Sequence, residues 1–329
     1  THVFERARDV GGTWYWNRYP GARCDVESMQ YAYSFSPELE QDWEWAERYA
    51  TQPEILRYAN HVADRFDLRR NIQFNTRVAT AIFDETDSRW MIETSDGGRT
   101  SANYCVIATG CLSTINTPNF EGLESFAGSL YHTGEWPHHE IDFSDQQVGI
   151  IGTGSSAIQS IPLIAEQAKH LYVFQRTPHY TVPACNQPLQ TDSTTQHSGR
   201  KAYGYDEDLT MEEIKADYLG LRERARKTFA ALAFTPNPRS ALEMTETERQ
   251  QEFENRWKRG GLPFQGVFSD FAVSREANEL AAEFVRQKIQ HIVKDSVVAE
   301  ALLPTYTIGC KRLAVDTGYY ETYNQPNVT

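Results

Sequence analysis

The chain has 329 residues, 40% of them hydrophobic and 23% charged, an ordinary globular composition and length enough for two domains with real cores. A formal charge of -13 argues against nucleic acid or an anionic membrane as the main partner, so an anionic ligand must be held by local positive side chains. The cysteines (Cys24, Cys105, Cys111, Cys185, Cys310) form no metal-type CxxC pair and are odd in number. With no signal sequence and no apolar run of transmembrane length, a reducing cytoplasm is the simplest setting.

Thr1 to Glu5 reads as a strand ending in an acid, the place in a dinucleotide-binding unit where a carboxylate meets the adenosine ribose. Its own GxGxxG is expected upstream and is absent, so the sequence reads as starting inside a domain. Thr51 to Leu68 has the spacing of a helix, with Pro53 in the first turn and Ile55, Tyr58, Ala59, Val62 and Phe66 on one face. From Ile72 to Tyr104 the pattern changes to turn-bounded strands (Ile72 to Val78, Ala81 to Asp84, Trp90 to Thr94) with a hairpin turn at Asp96-Gly97. Cys105 to Gly110, CVIATG, reads as a buried parallel strand ending in glycine.

Val148 to Ile151 is a short apolar strand, followed by the turn Gly152-Thr153-Gly154-Ser155-Ser156-Ala157 and a helix through Ile158, Ile161 and Ile164. Strand, GxGxxA turn and amphipathic helix in that order make a dinucleotide fingerprint: Gly152 permits the turn, Gly154 lets amides approach a pyrophosphate, and Ala157 lets the helix lie close on the strand. The next strand, Leu171 to Gln175, ends in Arg176 and Thr177 where an NAD site would place a carboxylate. A guanidinium there suits a 2′-phosphate, so NADP is favoured over NAD. Pro178 to Arg200 reads as a loop, polar from Thr191 to Gly199. Helices are then expected over Leu209 to Phe234, from the capping box at Thr245 to a stop at Gly260-Gly261, and over Ser274 to Lys294, whose Ala277, Leu280, Ala281, Phe284, Ile289 and Ile292 are core positions.

Two long patterns carry a family resemblance. Phe126, Gly128, His132, Trp136 and Pro137 satisfy FxGxxxHxxxWP, and Gly11-Gly12-Thr13-Trp14 through Tyr19-Pro20-Gly21 to Asp25 satisfies GGxWxxxxYPGxxxD. Both resemble the signatures of the type I Baeyer-Villiger monooxygenases, within the FAD/NADPH-dependent flavin monooxygenases. The resemblance implies FAD contacts for Glu5, Thr13, Trp14, Asp25, Tyr31 and Val78. It implies NADP contacts for Arg23, Cys24, the turn Gly152 to Ala157, Arg176, Thr177 and Lys311, and it makes Arg312 the active-site arginine, also beside NADP, held by Asp25. Read without it, Trp14 and Trp16 are core packing, Lys311-Arg312 is solvated surface, and His132 is a satisfied linker histidine with a conformational rather than a chemical role.

The implied fold is α/β, with two Rossmann-like dinucleotide-binding domains and a helical insertion, the FAD domain being incomplete. The expected division is an FAD domain with its fingerprint linker over 1–137, an NADP domain over 138–188 and 297–329, and a helical insertion over 189–296. The implied function is oxidation of ketones to esters or lactones with NADPH and O2 through a flavin peroxide, with no metal. The alternatives are an N- or S-oxygenating flavin monooxygenase and a non-catalytic NADP-binding fragment. Both ends of the family's length are expected to be missing, which would leave FAD weakly held.

Overall fold

The computed structural model describes residues 1–112, 114–189, 211–228 and 230–329, which form two compact units, Thr1–Tyr19 with Gln52–Glu140 and Pro20–Thr51 with Ile141–Thr329. In the first, β1 (Val3–Phe4) runs parallel to β2 (Ile72–Gln73). Helix α1 (Gln52–Arg65) buries Ile55, Tyr58 and Val62, with Glu54 in its first turn and Arg65 in its last, each favourable for the helix dipole. A meander of β3 (Val78–Asp84), β4 (Arg89–Thr94) and β5 (Arg99–Ala102) completes the unit. The expected turn is present, with Gly97 at φ +87° between Thr94 and Gly98.

Two expectations in this unit need correcting. The strand read over Ile72 to Val78 stops at Gln73, because Asn75 takes a left-handed conformation (φ +53°) and donates its N–H to Ala7, while Val78 opens β3 instead. Cys105 to Gly110 is neither a strand nor buried: Val106 is 87% and Ile107 70% exposed. An apolar run becomes a strand only where neighbours take its hydrogen bonds, and no strand among the described residues pairs with this one.

The second unit holds β6 (Gln147–Ile151), α2 (Ser155–Gln167) and β7 (His170–Phe174), with β6 parallel to β7. On the other side of β7, Leu171 and Val173 donate to the carbonyls of Asn327 and Thr329 at 2.7 and 2.8 Å, so the last residues lie parallel beside it. Strands β8 (Thr181–Pro183) and β9 (Ala314–Asp316) form a second parallel pair. Ile158, Ile161 and Ile164 of α2 face inward, as their spacing requires.

Pro20–Thr51 belongs to this second unit, unlike the expected single block over 1–137. Close packing explains it. Gly21 (φ +78°) passes so near α2 that a Cβ there would lie 2.2 Å from the Gln159 carbonyl oxygen. Further along, Arg48 donates its N–H to Gln187 and Leu189 donates to Ala46. The Arg48 guanidinium, 2% exposed, pairs with buried Glu27 at 2.6 Å and donates to the Arg259 carbonyl at 2.7 Å.

The helical region is more broken than its periodicity suggests. In place of one helix over Leu209 to Phe234 stand α3 (Met211–Ala216) and α4 (Tyr218–Arg226), separated because Asp217 leaves helical geometry and accepts the N–H of Gly220 as a cap. The expected polar loop Thr191 to Gly199, and Leu209, lie outside the described residues. Helix α5 (Glu246–Arg259) carries the full capping box at Thr245 and Glu248 and ends at Gly260. Helix α6 (Arg275–Ile292) buries Ala277, Ala281, Phe284 and Ile289, while Leu280 and Ile292 are half-buried. Phe253, Phe264, Phe268 and Phe284 stack into one aromatic core. No helix among the described residues is long and apolar enough to cross a membrane.

Candidate functional site

The glycine turn between β6 and α2 is built as its residue types require. Gly152 adopts φ +105° and donates its N–H to the Phe174 carbonyl at 2.8 Å, which ties the turn to the end of β7. Thr153 is buried and donates its hydroxyl to the Thr177 carbonyl at 3.2 Å. Gly154 is the N-cap of α2 and accepts from Ile158, while Ser155, Ser156 and Ala157 form the first turn, half-buried. A Cβ on Gly152 or Gly154 would meet nothing within 4 Å, so the backbone here faces open space at the positive end of a 13-residue helix. That is a cradle fitting a dinucleotide pyrophosphate.

Arg176 and Lys311 are both exposed, and Lys311 lies over the Tyr306 ring at 4.5 Å. Tyr306 also bonds His179 Nδ1 at 2.6 Å, and His179 Nε2 donates to the Arg312 carbonyl at 2.8 Å. The Lys311-Arg312 backbone is therefore held by a histidine and a tyrosine that no motif marks. Burial, and Lys311 nearby, lower the His179 pKa against the hydrogen bond to Arg312.

Asp25 and Arg312, far apart in sequence, come together at 3.7 Å between Oδ2 and Nη2. Their surroundings differ sharply. The Asp25 side chain is 6% exposed and the Arg312 side chain 68%. Burial pushes the Asp25 carboxyl up to about 6, against the pull of Arg312 and of a hydrogen bond from Gln159. Beside it, burial raises the Cys24 thiol to about 12, and Arg23 pairs with Glu47 at 3.5 Å. The arrangement directs one positive charge outward from a buried anchor. Tyr31, in the same unit, is 39% exposed.

In the first unit Glu5 turns one oxygen to the Ala7 N–H at 2.7 Å. Gly11 (φ +119°) packs against the Leu56 side chain, whereas a Cβ on Gly12 would meet nothing within 4 Å. Thr13 is exposed and Trp14 half-buried, its carbonyl accepting from Gln52. Trp16 lies under the Arg6 guanidinium at 4.5 Å, and Val78 is 39% exposed at the start of β3. In the linker fingerprint Phe126 is 61% exposed and a Cβ on Gly128 would meet its ring, Trp136 packs on Tyr131, and Pro137 is half-buried. His132 Nδ1 accepts from the Gly134 N–H at 3.0 Å, which leaves the ring proton on Nε2 of the neutral form. Among the described residues no group of three His, Cys, Asp or Glu side chains could hold a metal ion.

A family model described as pyridine nucleotide-disulphide oxidoreductase matches residues 26–198, just over half of the chain. The chain belongs to this family. Over 99% of its length it is 43% identical to a Baeyer-Villiger monooxygenase of Pseudooceanicola batsensis, and it is 41% identical, over 99% of its length, to a phenazine N-monooxygenase of Lysobacter antibioticus. It spans 57% of each of those two proteins. Among solved structures, an oxidized steroid monooxygenase bound to NADP superposes with a TM-score of 0.91 at 51% identity, covering 100% of this chain and 60% of that one. The resemblance to Baeyer-Villiger monooxygenases stands, and the chain has the α/β fold of that solved monooxygenase.

Proposed function

We propose that the protein to which this chain belongs is an FAD- and NADPH-dependent Baeyer-Villiger monooxygenase: ketone, O2, NADPH and a proton give ester or lactone, water and NADP+. The observation that carries this reading is the Asp25–Arg312 pair, an outward-facing guanidinium anchored on a buried carboxylate, in the same unit as an open dinucleotide turn. The NADP pyrophosphate would sit on the Gly152 to Ser156 amides and its 2′-phosphate on Arg176 and Lys311. In the other unit Glu5, Thr13, Trp14 and Val78, with the open backbone at Gly12, are the residues that would hold FAD. Bound flavin supplies O2 activation with electrons from NADPH.

Arg312 contributes a fixed positive charge for the negative charge that develops on the carbonyl oxygen, and Asp25 sets its direction. The Cys24 thiol, kept protonated by burial, offers no thiolate to the reaction. Five free cysteines are consistent with a reducing cytoplasm. A second reading, oxygenation of a ring nitrogen, is supported by the identity to a phenazine N-monooxygenase. Incubation with NADPH, 18O2 and parallel panels of ketones and N-heterocycles separates the two by product mass. The expected result is labelled ester from the wild type and none from Arg312→Ala, which should still bind NADPH. Full ester yield from Arg312→Ala, or N-oxides without ester, would overturn the ketone reading.

A further inference from the structure

Gln159 belongs to neither the phosphate turn nor the ion pair. It stands on α2 immediately after Ile158 and is 6% exposed. Its amide group is engaged at both ends: Nε2 donates to the Arg23 carbonyl and to Asp25 Oδ1, each at 3.1 Å, and Oε1 accepts from the Arg23 N–H at 3.4 Å. Gly21, without a side chain, allows the Pro20 to Asp25 loop to come this close to the helix. We propose that Gln159 is the positioning residue of the site, fixing the Asp25 carboxylate, and through it Arg312, against the helix whose N-terminus holds the dinucleotide phosphates.

The two contacts to the Asp25 carboxylate differ in kind. Asp25 is buried, so its carboxylate needs compensation. Arg312 meets Oδ2 at 3.7 Å, a charge contact longer than a hydrogen bond, which leaves Oδ1 to a donor from within the protein. Gln159 gives a 3.1 Å bond from a buried donor that is itself fixed at two further points. The same side chain thus joins cofactor-binding helix and charge-bearing loop. The inference rests on the reading of Asp25 and Arg312 given above.

The test uses the flavin- and NADPH-loaded protein and two readouts, 13C titration of the Asp25 carboxyl and steady-state kinetics. In Gln159→Leu the Asp25 midpoint should move alkaline by about one pH unit, since a bond to the ionised form is lost. Ester-forming kcat should fall about tenfold while KM for NADPH stays within about twofold. Gln159→Glu keeps the shape, and should be impaired at alkaline pH yet recover as the pH falls, because a protonated Glu can donate where Gln did. Combined with Asp25→Asn, either change should add little. An unmoved Asp25 midpoint in folded Gln159→Leu, absence of acid recovery in Gln159→Glu, or losses that multiply with Asp25→Asn would overturn the assignment. A shifted midpoint with no ester from the wild type supports the positioning by Gln159 and sinks the ketone reading instead.

Discussion

The run CVIATG at Cys105 to Gly110 and the strand LYVF at Leu171 to Phe174 look alike as sequence and fare differently in the fold. Leu171 is fully buried and bonded on both sides, to β6 and to the backbone near Val328. Val106 is 87% exposed and bonded to no strand among the described residues. Both runs are apolar and rich in strand-forming residues; what differs is the presence of neighbours. Strand formation is therefore a property of the sheet and not of the segment, because β propensity expresses packing and cross-strand partners more than backbone preference.

Mutational stability in the 329-residue chain would sharpen or break that contrast. The largest effect is expected from Arg48→Ala, which leaves Glu27 buried without its partner and should cost about 3–5 kcal/mol in denaturant unfolding of the second unit. Loss below about 1 kcal/mol would mean that the pair is solvated. Leu171→Ala should cost about 2–5 kcal/mol. The same change at Val106 should stay within about 0.5 kcal/mol, as exposed sites do. Equal costs at the two positions would show that Cys105 to Gly110 is in fact packed.

A pH effect follows from Asp316, whose carboxyl burial raises to about 6 although Thr181 and the N–H groups of Tyr319 and Gly318 bond it. The folded state holds this proton more tightly than the unfolded chain, whose group titrates near 3.8. Stability from this group is therefore present at low pH and is lost as pH rises from about 4 to about 6. Asp316→Asn should reduce the slope of a pH series of melting curves, leaving the share of Asp25, which is also raised to about 6, and an unchanged slope would place the effect elsewhere. Thr245→Ala deletes the capping box of α5 and should cost about 1 kcal/mol by thermal unfolding.

Legibility in the sequence divides along the same line. The turn Gly152 to Ala157, the α2 face and the Thr245 cap are local chemistry, readable from glycine placement, period and capping residues, and the structure has them where the residues require. The break at Asp217 was readable in principle, since a cap residue interrupts the apolar spacing. Asp25 and Arg312 are paired across most of the chain, and only the family resemblance suggested that they meet. Gln159 was missed; its one sequence signal is a long polar side chain placed among Ile158, Ile161 and Ile164, where burial demands partners. His179 and Tyr306 gave no such signal, because their contact depends on how the β8 and β9 connections close.

The Cys24 thiol carries a consequence for durability. With its pKa raised to about 12 by burial, the thiol stays protonated at neutral pH. The thiolate is the form that peroxides attack first on the way to sulfenic and sulfinic acids. Burial keeps that sulfur inert, and oxidative wear should fall first on the exposed Cys111 and Cys310.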